Sequence, residues 1–242
     1  MTKTIPLTRA ALIAAALSAC TTVTATAEEA FSPYISVFAG LGILGDETFS
    51  GVVTPPGGEQ SVTGDFGSAF NFGAAVGVEL GSTLGFVSPR VEIEGSYLSA
   101  GVGEDTLNFS GNGPANEINV DGGISRALLL ANLLLDVETG GPFTPYVGVG
   151  AGLAFTNSDV VYGGPPGGPA AVRFDDSGVD FAAQLIAGAS YEVSDNVLLF
   201  ADGRYTRVFG FDGDRFNPAG LTGNISGDVD NVSVNVGVRY RF

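Results

Sequence analysis

From Asp230 to Phe242 the chain alternates without a break. Val232, Val234, Val236, Val238, Tyr240 and Phe242 fall on one parity, and Ser233, Asn235, Gly237, Arg239 and Arg241 on the other. A period of two over such a length predicts a β-strand with one apolar and one polar face. Two architectures accept it. In a soluble sandwich the polar face meets water and the apolar face a core. In a closed barrel within lipid, the apolar face meets acyl chains and the polar face lines a lumen.

Seven further segments carry the same period and are predicted as strands: Pro33 to Leu41, Ala69 to Leu80, Pro89 to Leu98, Ser125 to Glu138, Pro145 to Thr156, Val179 to Val193 and Asn196 to Val208. In the third, Val91, Ile93, Gly95 and Tyr97 oppose Arg90, Glu92, Glu94 and Ser96, and three charges on one face of a short strand fit a soluble core badly. The leucine-rich fourth also suits a helix, since Leu, Ala and Asn do not favour strands. Its odd positions (Leu129, Ala131, Leu133, Leu135, Val137) are wholly apolar, while Asn132 and Asp136 lie on the even face, which decides for a strand.

The connections sort by length. Short links follow the second, fourth and sixth strands, around Gly81-Ser82-Thr83-Leu84-Gly85, at Thr139-Gly140-Gly141-Pro142 and at Ser194-Asp195. Long links follow the first, third, fifth and seventh, as in Thr54-Pro55-Pro56-Gly57-Gly58 and Gly163-Gly164-Pro165-Pro166-Gly167-Gly168-Pro169. An up-and-down meander with tight turns at one end and long loops at the other is the asymmetry of outer-membrane barrels, and a sandwich has no reason to sort its loops this way. The expected fold is an all-β, eight-stranded antiparallel up-and-down transmembrane β-barrel, closed by pairing of the first and last strands. An internal echo relates Phe31-Ser32-Pro33-Tyr34-Ile35-Ser36-Val37-Phe38-Ala39-Gly40 to Phe143-Thr144-Pro145-Tyr146-Val147-Gly148-Val149-Gly150-Ala151-Gly152.

The start of the chain adds an export signal. Lys3 and Arg9 flank the n-region, Ala10 to Ala19 is a short apolar run, and Ala25-Thr26-Ala27 supplies small residues for cleavage before Glu28. Residues 1–27 are expected to be a cleaved signal peptide and 28–242 the barrel domain. Leu17-Ser18-Ala19-Cys20 also has the form of a lipobox; cleavage after Ala27 is preferred because the tripeptide fits and a barrel needs no second anchor. Cys20 is the single cysteine, so no intrachain disulfide forms. Beyond the signal, the densest apolar run, Ala127 to Leu135, is too short for a membrane-spanning helix and contains Asn132.

Composition agrees with a barrel. The chain has 37 glycines, 17 phenylalanines and 7 tyrosines, and only 15% charged residues, below the quarter typical of soluble domains. A net charge of −16 argues against a nucleic-acid partner.

With these features in place the chain resembles the small outer-membrane β-barrel proteins of the opacity and OmpA-like porin families. The carrying residues are Arg90-Val91-Glu92-Ile93-Glu94-Gly95-Ser96-Tyr97, Pro145-Tyr146-Val147-Gly148-Val149-Gly150, Gly203-Arg204-Tyr205 and the terminal phenylalanine. The resemblance implies outer-membrane lipid and lipopolysaccharide as surroundings, and a barrel-assembly machinery that reads Val238, Tyr240 and Phe242. It also implies either a surface-interaction role through long loops or a small-solute pore. One departure is the absence of tryptophan, which leaves Tyr and Phe to build the interfacial girdles.

Histidine is absent, which removes serine–histidine hydrolysis, imidazole general bases and most zinc sites. Enzymes on similar scaffolds, omptin proteases and lipid-modifying barrels among them, use a histidine. A carboxylate-pair glycosidase stays formally open through Glu92 and Glu94; lumen lining is the simpler use of i, i+2 carboxylates on such a strand. No catalytic residue, cofactor or metal is expected. Gly148, Gly150 and Gly152 sit at period two with no helix after them, so they make room for bulky neighbours rather than cradle a nucleotide. Asp175-Asp176 and Asp212-Gly213-Asp214 match no calcium-loop spacing. Acidic loops bridged to lipopolysaccharide by divalent cations are a further expectation.

The remaining candidate site is the set of inward-parity charges: Glu79, Arg90, Glu92, Glu94, Asp136, Glu192, Asp202, Arg204, Arg239 and Arg241. Eight strands enclose a space just wide enough for side chains to fill, so these charges should pair. Glu79 with Arg90, flanking one short turn, is the expected cross-strand ion pair. The charges form either a plug that fixes register or the lining of a gated pore.

Overall fold

Alternation along every strand lets one sheet bury its polar face by curling until its edges meet. The computed structural model of the protein describes residues 31–44, 47–53, 58–81, 85–110, 120–162, 172–217 and 220–242. These contain β1 (Phe31–Leu44), β2 (Glu47–Val53), β3 (Gly58–Leu80), β4 (Val87–Ser110), β5 (Val120–Val137), β6 (Phe143–Tyr162), β7 (Val172–Ser194), β8 (Val197–Asn217) and β9 (Gly220–Arg241). β1 and β2 each pair with β3 on one side and β9 on the other, so together they form one stave of a closed eight-strand antiparallel barrel. The seam runs from Tyr34 opposite Arg241 to Leu44 opposite Asn231, where the first and last strands were expected to meet. The leucine-rich fourth segment is a strand, with its full length paired to β4 and β6.

The strands outrun their predicted limits, by one or two residues at the short-turn end of β1, β4, β6 and β7 and by far more at the long-loop end. β3 has 23 residues, β4 has 24 and β7 has 23, whereas roughly 9–11 tilted residues cross a bilayer core. Alternation fades where a strand no longer separates lipid from lumen, which is why the sequence pattern stopped short. Register shifts between Phe66 and Ala69, between Asp175 and Phe181 and between Val208 and Phe211 lie in this outer zone. Unpaired backbone is tolerable there and would be costly in hydrocarbon.

The two faces are inverted relative to a soluble protein. Leu41, Ile43, Val234 and Val236 face outward, each more than 60% exposed, and form part of an apolar belt with aromatics such as Phe72, Tyr97, Tyr191 and Tyr240. Inside, Arg90, Glu94, Asn132, Gln184, Asn235 and Arg239 are buried. Among the described residues no helix is long and apolar enough to cross a membrane. The expected signal segment with Cys20, residues 82–84, and residues 54–57 and 163–169 of the expected loops lie outside the described residues, as do the side chains of Asp175, Asp176, Asp212 and Asp214.

Candidate functional site

Glu94 is the eighth residue of β4 and Arg204 the eighth of β8. Three strands separate β4 from β8 in either direction around the ring, so the two residues face each other across the barrel. Arg204 Nη1 nonetheless reaches Glu94 Oε1 at 2.7 Å. Its Nε and Nη2 donate to the two carboxylate oxygens of Asp202 at 2.9 and 3.1 Å, and its guanidinium lies 4.0 Å from the centre of the Phe38 ring. One side chain thus spans the lumen.

The other buried carboxylates are equally well supplied with donors. Asn132 Nδ2 donates at 2.9 Å to both Glu92 and Glu94, and Gln184 Nε2 donates to Asn132 Oδ1 at 2.9 Å. Tyr34 donates to Glu92 at 2.6 Å, and Tyr146 and Asn235 donate to Asp202 at 3.0 and 2.9 Å. Arg90 binds Asp136 at 2.9 Å and approaches Glu92 at 3.6 Å, with its guanidinium 4.6 Å from the Tyr146 ring centre. Such saturation is required in a low-dielectric interior, where an unpaired charge costs several kcal/mol. Beside Phe38, Leu134 and Phe200 lies a space of about 10 Å³, room for roughly one water. Arg90 and Arg239, which line it, each keep one N–H nitrogen (Nη2 and Nε) without a partner.

Not every inward-parity charge belongs to this network. Glu79 stands opposite Arg90 in the ladder, yet the expected ion pair between them is absent from the contacts of both residues. Arg90 turns to Asp136 and Glu92, and Glu79 is taken by Arg239 at 3.4 Å and Arg241 at 3.8 Å. Inside a narrow barrel, inward side chains converge, so a group on a non-adjacent strand is as close as the ladder neighbour. Glu192 is exposed at the short-turn rim, where Arg241 meets it at 2.6 Å. Val238 and Tyr240 face outward on β9, and the Phe242 N–H donates to the Pro33 carbonyl, locking the terminus to β1.

Sequence reasoning about charge missed the neutral half of the site: Tyr34, Tyr146, Asn132, Gln184 and Asn235, and the cation Arg126. All sit on the inward parity, which was the available signal. Arg126 is buried and donates to Thr156 Oγ1 at 3.1 Å. The internal echo also acquires a geometric meaning. Tyr34 on β1 and Tyr146 on β6 stand on opposite sides of the ring, and each donates to a carboxylate two strands onward, Glu92 on β4 and Asp202 on β8. At the echo's spacing Arg90-x-Glu92 corresponds to Asp202-x-Arg204, the same pair with its charges exchanged.

The glycine ladder of β6 makes room for this packing. A Cβ on Gly148 would lie 2.7 Å from Leu134 Cγ, one on Gly150 would fall on the Asn132 amide oxygen, and one on Gly152 on the Leu129 carbonyl. Among the described residues no group of three or more acidic, histidine or cysteine side chains is arranged to hold a metal. Glu92 and Glu94 are both buried with oxygens held by internal donors, so this pair is not open to a substrate.

A family model described as the outer membrane protein beta-barrel domain matches residues 12–242. An uncharacterized protein of Brucella abortus is 36% identical over 84 residues, covering 34% of this chain and 30% of that protein. The chain therefore aligns with less than a third of that relative's length. Among solved structures, the outer membrane protease OmpT from Escherichia coli aligns with a TM-score of 0.51 at 12% identity, over 86% of this chain and 97% of OmpT. The outer membrane protein OprG from Pseudomonas aeruginosa aligns at 0.49 and 13% identity, over 88% of this chain and 97% of OprG. At such identity the likeness to OmpT concerns the fold alone.

Proposed function

The chain belongs to the outer membrane protein β-barrel family and is an outer-membrane protein, and on that premise we propose that it works as a closed barrel with a structural and surface-interaction role, without catalytic chemistry. The observation that carries this reading is the Arg204 to Glu94 contact across the lumen, with about 10 Å³ of free space beside it. A hydrated ion needs a continuous water column, and a buried side chain bound across the lumen supports its interruption there.

The surface role is supported by strand length. β3, β4 and β7 continue for roughly ten residues beyond what the bilayer needs, which carries the loops clear of the outer leaflet. The loops are glycine-rich and acidic, and contact with lipopolysaccharide through divalent cations belongs to the same reading. A small-solute pore is the second reading, favoured by the two unpartnered arginine nitrogens at the residual space. Planar-bilayer recording on the refolded full chain separates the two. The closed barrel gives no discrete openings at any voltage; stable openings altered by Arg204→Ala would establish the pore instead.

A further inference from the structure

On the outer wall three alanines lie side by side between rows of larger residues. Ala131 of β5 pairs with Ala151 of β6, and Ala151 with Ala183 of β7. In the next outward-facing row toward the long loops the ladder partners are Leu129, Leu153, Phe181 and Phe209. In the next row toward the short turns they are Leu133, Val149, Leu185 and Tyr205. All eight point away from the lumen and each is at least 36% exposed. Methyl groups between two rows of long side chains make a groove across the strands. It runs about 14 Å from Ala131 to the residue that follows Ala183 in the same row, Arg207 of β8.

The register gives this groove its direction. From Asp136 the ladder runs through Tyr146, Gly188, Asp202 and Asn235 to Gly40, then through Asn71 and Leu98 back to β5 at Arg126. One circuit therefore climbs from residue 136 to residue 126 of the same strand, toward the long-loop end. With strands tilted by about 40°, each step from β5 toward β8 rises roughly 3 Å. The groove starts near the middle of the lipid belt at Ala131 and reaches its outer edge at Arg207. Just beyond, β8 bends at Gly210 (φ 71°), whose N–H donates to Asp228.

The outer end is polar. Arg207 Nε and Nη2 donate to the two carboxylate oxygens of Asp230 at 2.6 and 2.5 Å, and the guanidinium lies 6.0 Å from the Tyr205 ring centre. The Arg207 side chain is 40% exposed, and its Nη1 is outside the fork. The pair thus presents N–H donors and a carboxylate acceptor together while carrying no net charge. That combination suits the hydroxyl and amide groups of a sugar, with an aromatic face beside it for the ring.

We propose that this groove binds one acyl chain of an outer-leaflet glycolipid, lipopolysaccharide in this membrane, with the acylated sugar seated on Arg207, Asp230 and Tyr205. The slope is that of a chain entering at the outer interface and descending toward the midplane. A saturated chain laid between the two rows touches the methyl floor and both flanks, which multiplies its contacts relative to an evenly packed wall. The headgroup supplies acceptors to the Arg207 donors at a depth where acyl chains have none. The site is on the outer wall and stands whether or not the lumen conducts.

Native mass spectrometry of the refolded full chain tests the assignment by counting retained lipid. Rough lipopolysaccharide and a phospholipid of matched saturated chains are the competing probes. EDTA is present throughout and removes cation-bridged contact with the acidic loops. One lipopolysaccharide should be retained per barrel, at about tenfold lower concentration than the phospholipid. Ala151→Leu with Ala183→Leu fills the floor, and Arg207→Leu with Asp230→Leu removes the polar end. Each pair should weaken retention about tenfold, while Ala74→Leu, at an outward-facing alanine of β3, leaves it unchanged. These substitutions add apolar surface toward lipid, and heat-modifiable gel mobility selects folded barrels in every case. Retention that survives either pair, an equal loss in Ala74→Leu, or equal retention of the phospholipid overturns the groove as a glycolipid site. None of these outcomes touches the closed-barrel reading, which conductance tests separately.

Discussion

Removing Arg204 strips the barrel of its lumen-spanning cation, and the cost can be worked from its contacts. In Arg204→Leu, Glu94 loses a 2.7 Å charge-assisted hydrogen bond and Asp202 loses two, at 2.9 and 3.1 Å. Both carboxylates stay buried, Glu94 at 1% exposure, and keep only neutral donors: Asn132 and Gln184 for Glu94, Tyr146 and Asn235 for Asp202. Breaking one side of a buried pair costs about 3–5 kcal/mol. The stacking on Phe38 adds to the loss, and the leucine's apolar contacts offset part of it, so about 4 kcal/mol is expected. Glu94→Gln in the same background removes one stranded charge, and the cycle should show a favourable coupling of about 2 kcal/mol between positions 94 and 204. With no tryptophan in the chain, urea titration in micelles is followed by circular dichroism and by the fraction of heat-modifiable protein. An Arg204→Leu barrel within 1 kcal/mol of wild type, or additive single and double variants, would refute the network as an energetic unit.

Three further outcomes follow from the geometry. Gly152→Ala places a Cβ on the Leu129 carbonyl, backbone that cannot step aside, and should cost about 3 kcal/mol; Gly95→Ala faces outward with nothing within 4 Å and should stay within about 0.5 kcal/mol, both read as urea midpoints. Val236→Arg, in the middle of the β9 lipid face, should destabilise the barrel by about 2–4 kcal/mol in lipid vesicles. Tyr34→Phe and Tyr146→Phe each remove one hydrogen bond to a buried carboxylate and should cost about 2 kcal/mol apiece; a large difference between them would break the equivalence of the two halves.

What the sequence made legible was the set of residues that must choose between lipid and lumen. Val232 through Phe242 could be assigned to one face because hydrocarbon accepts so few residue types that the period of two stays unbroken. The eight staves, the seam and the inward position of Arg90, Glu92, Glu94, Asp202, Arg204 and Arg239 follow from that parity. Beyond the bilayer both faces of a strand meet water, the constraint lapses, and so the outer halves of β3, β4 and β7 were invisible.

Pairing within the lumen was the least legible feature, and the failure at Glu79 and Arg90 shows why. On a flat sheet, directly opposed residues are nearest neighbours, and cross-strand pairs decide the electrostatics. Curling the sheet into eight staves points every inward side chain at a common axis. Distance across the lumen then becomes comparable to distance along the ladder, and long side chains select partners by depth as much as by strand order. Arg204 reaches Glu94 over the full width of the barrel, and Glu79 on β3 pairs with Arg239 on β9, beyond the intervening β1, instead of its ladder partner Arg90. Depth from the short-turn end is computable from sequence once the turns are placed: Glu94 and Arg204 are both eighth in their strands. A reading that ranks inward residues by that depth, instead of by ladder adjacency, would have paired them.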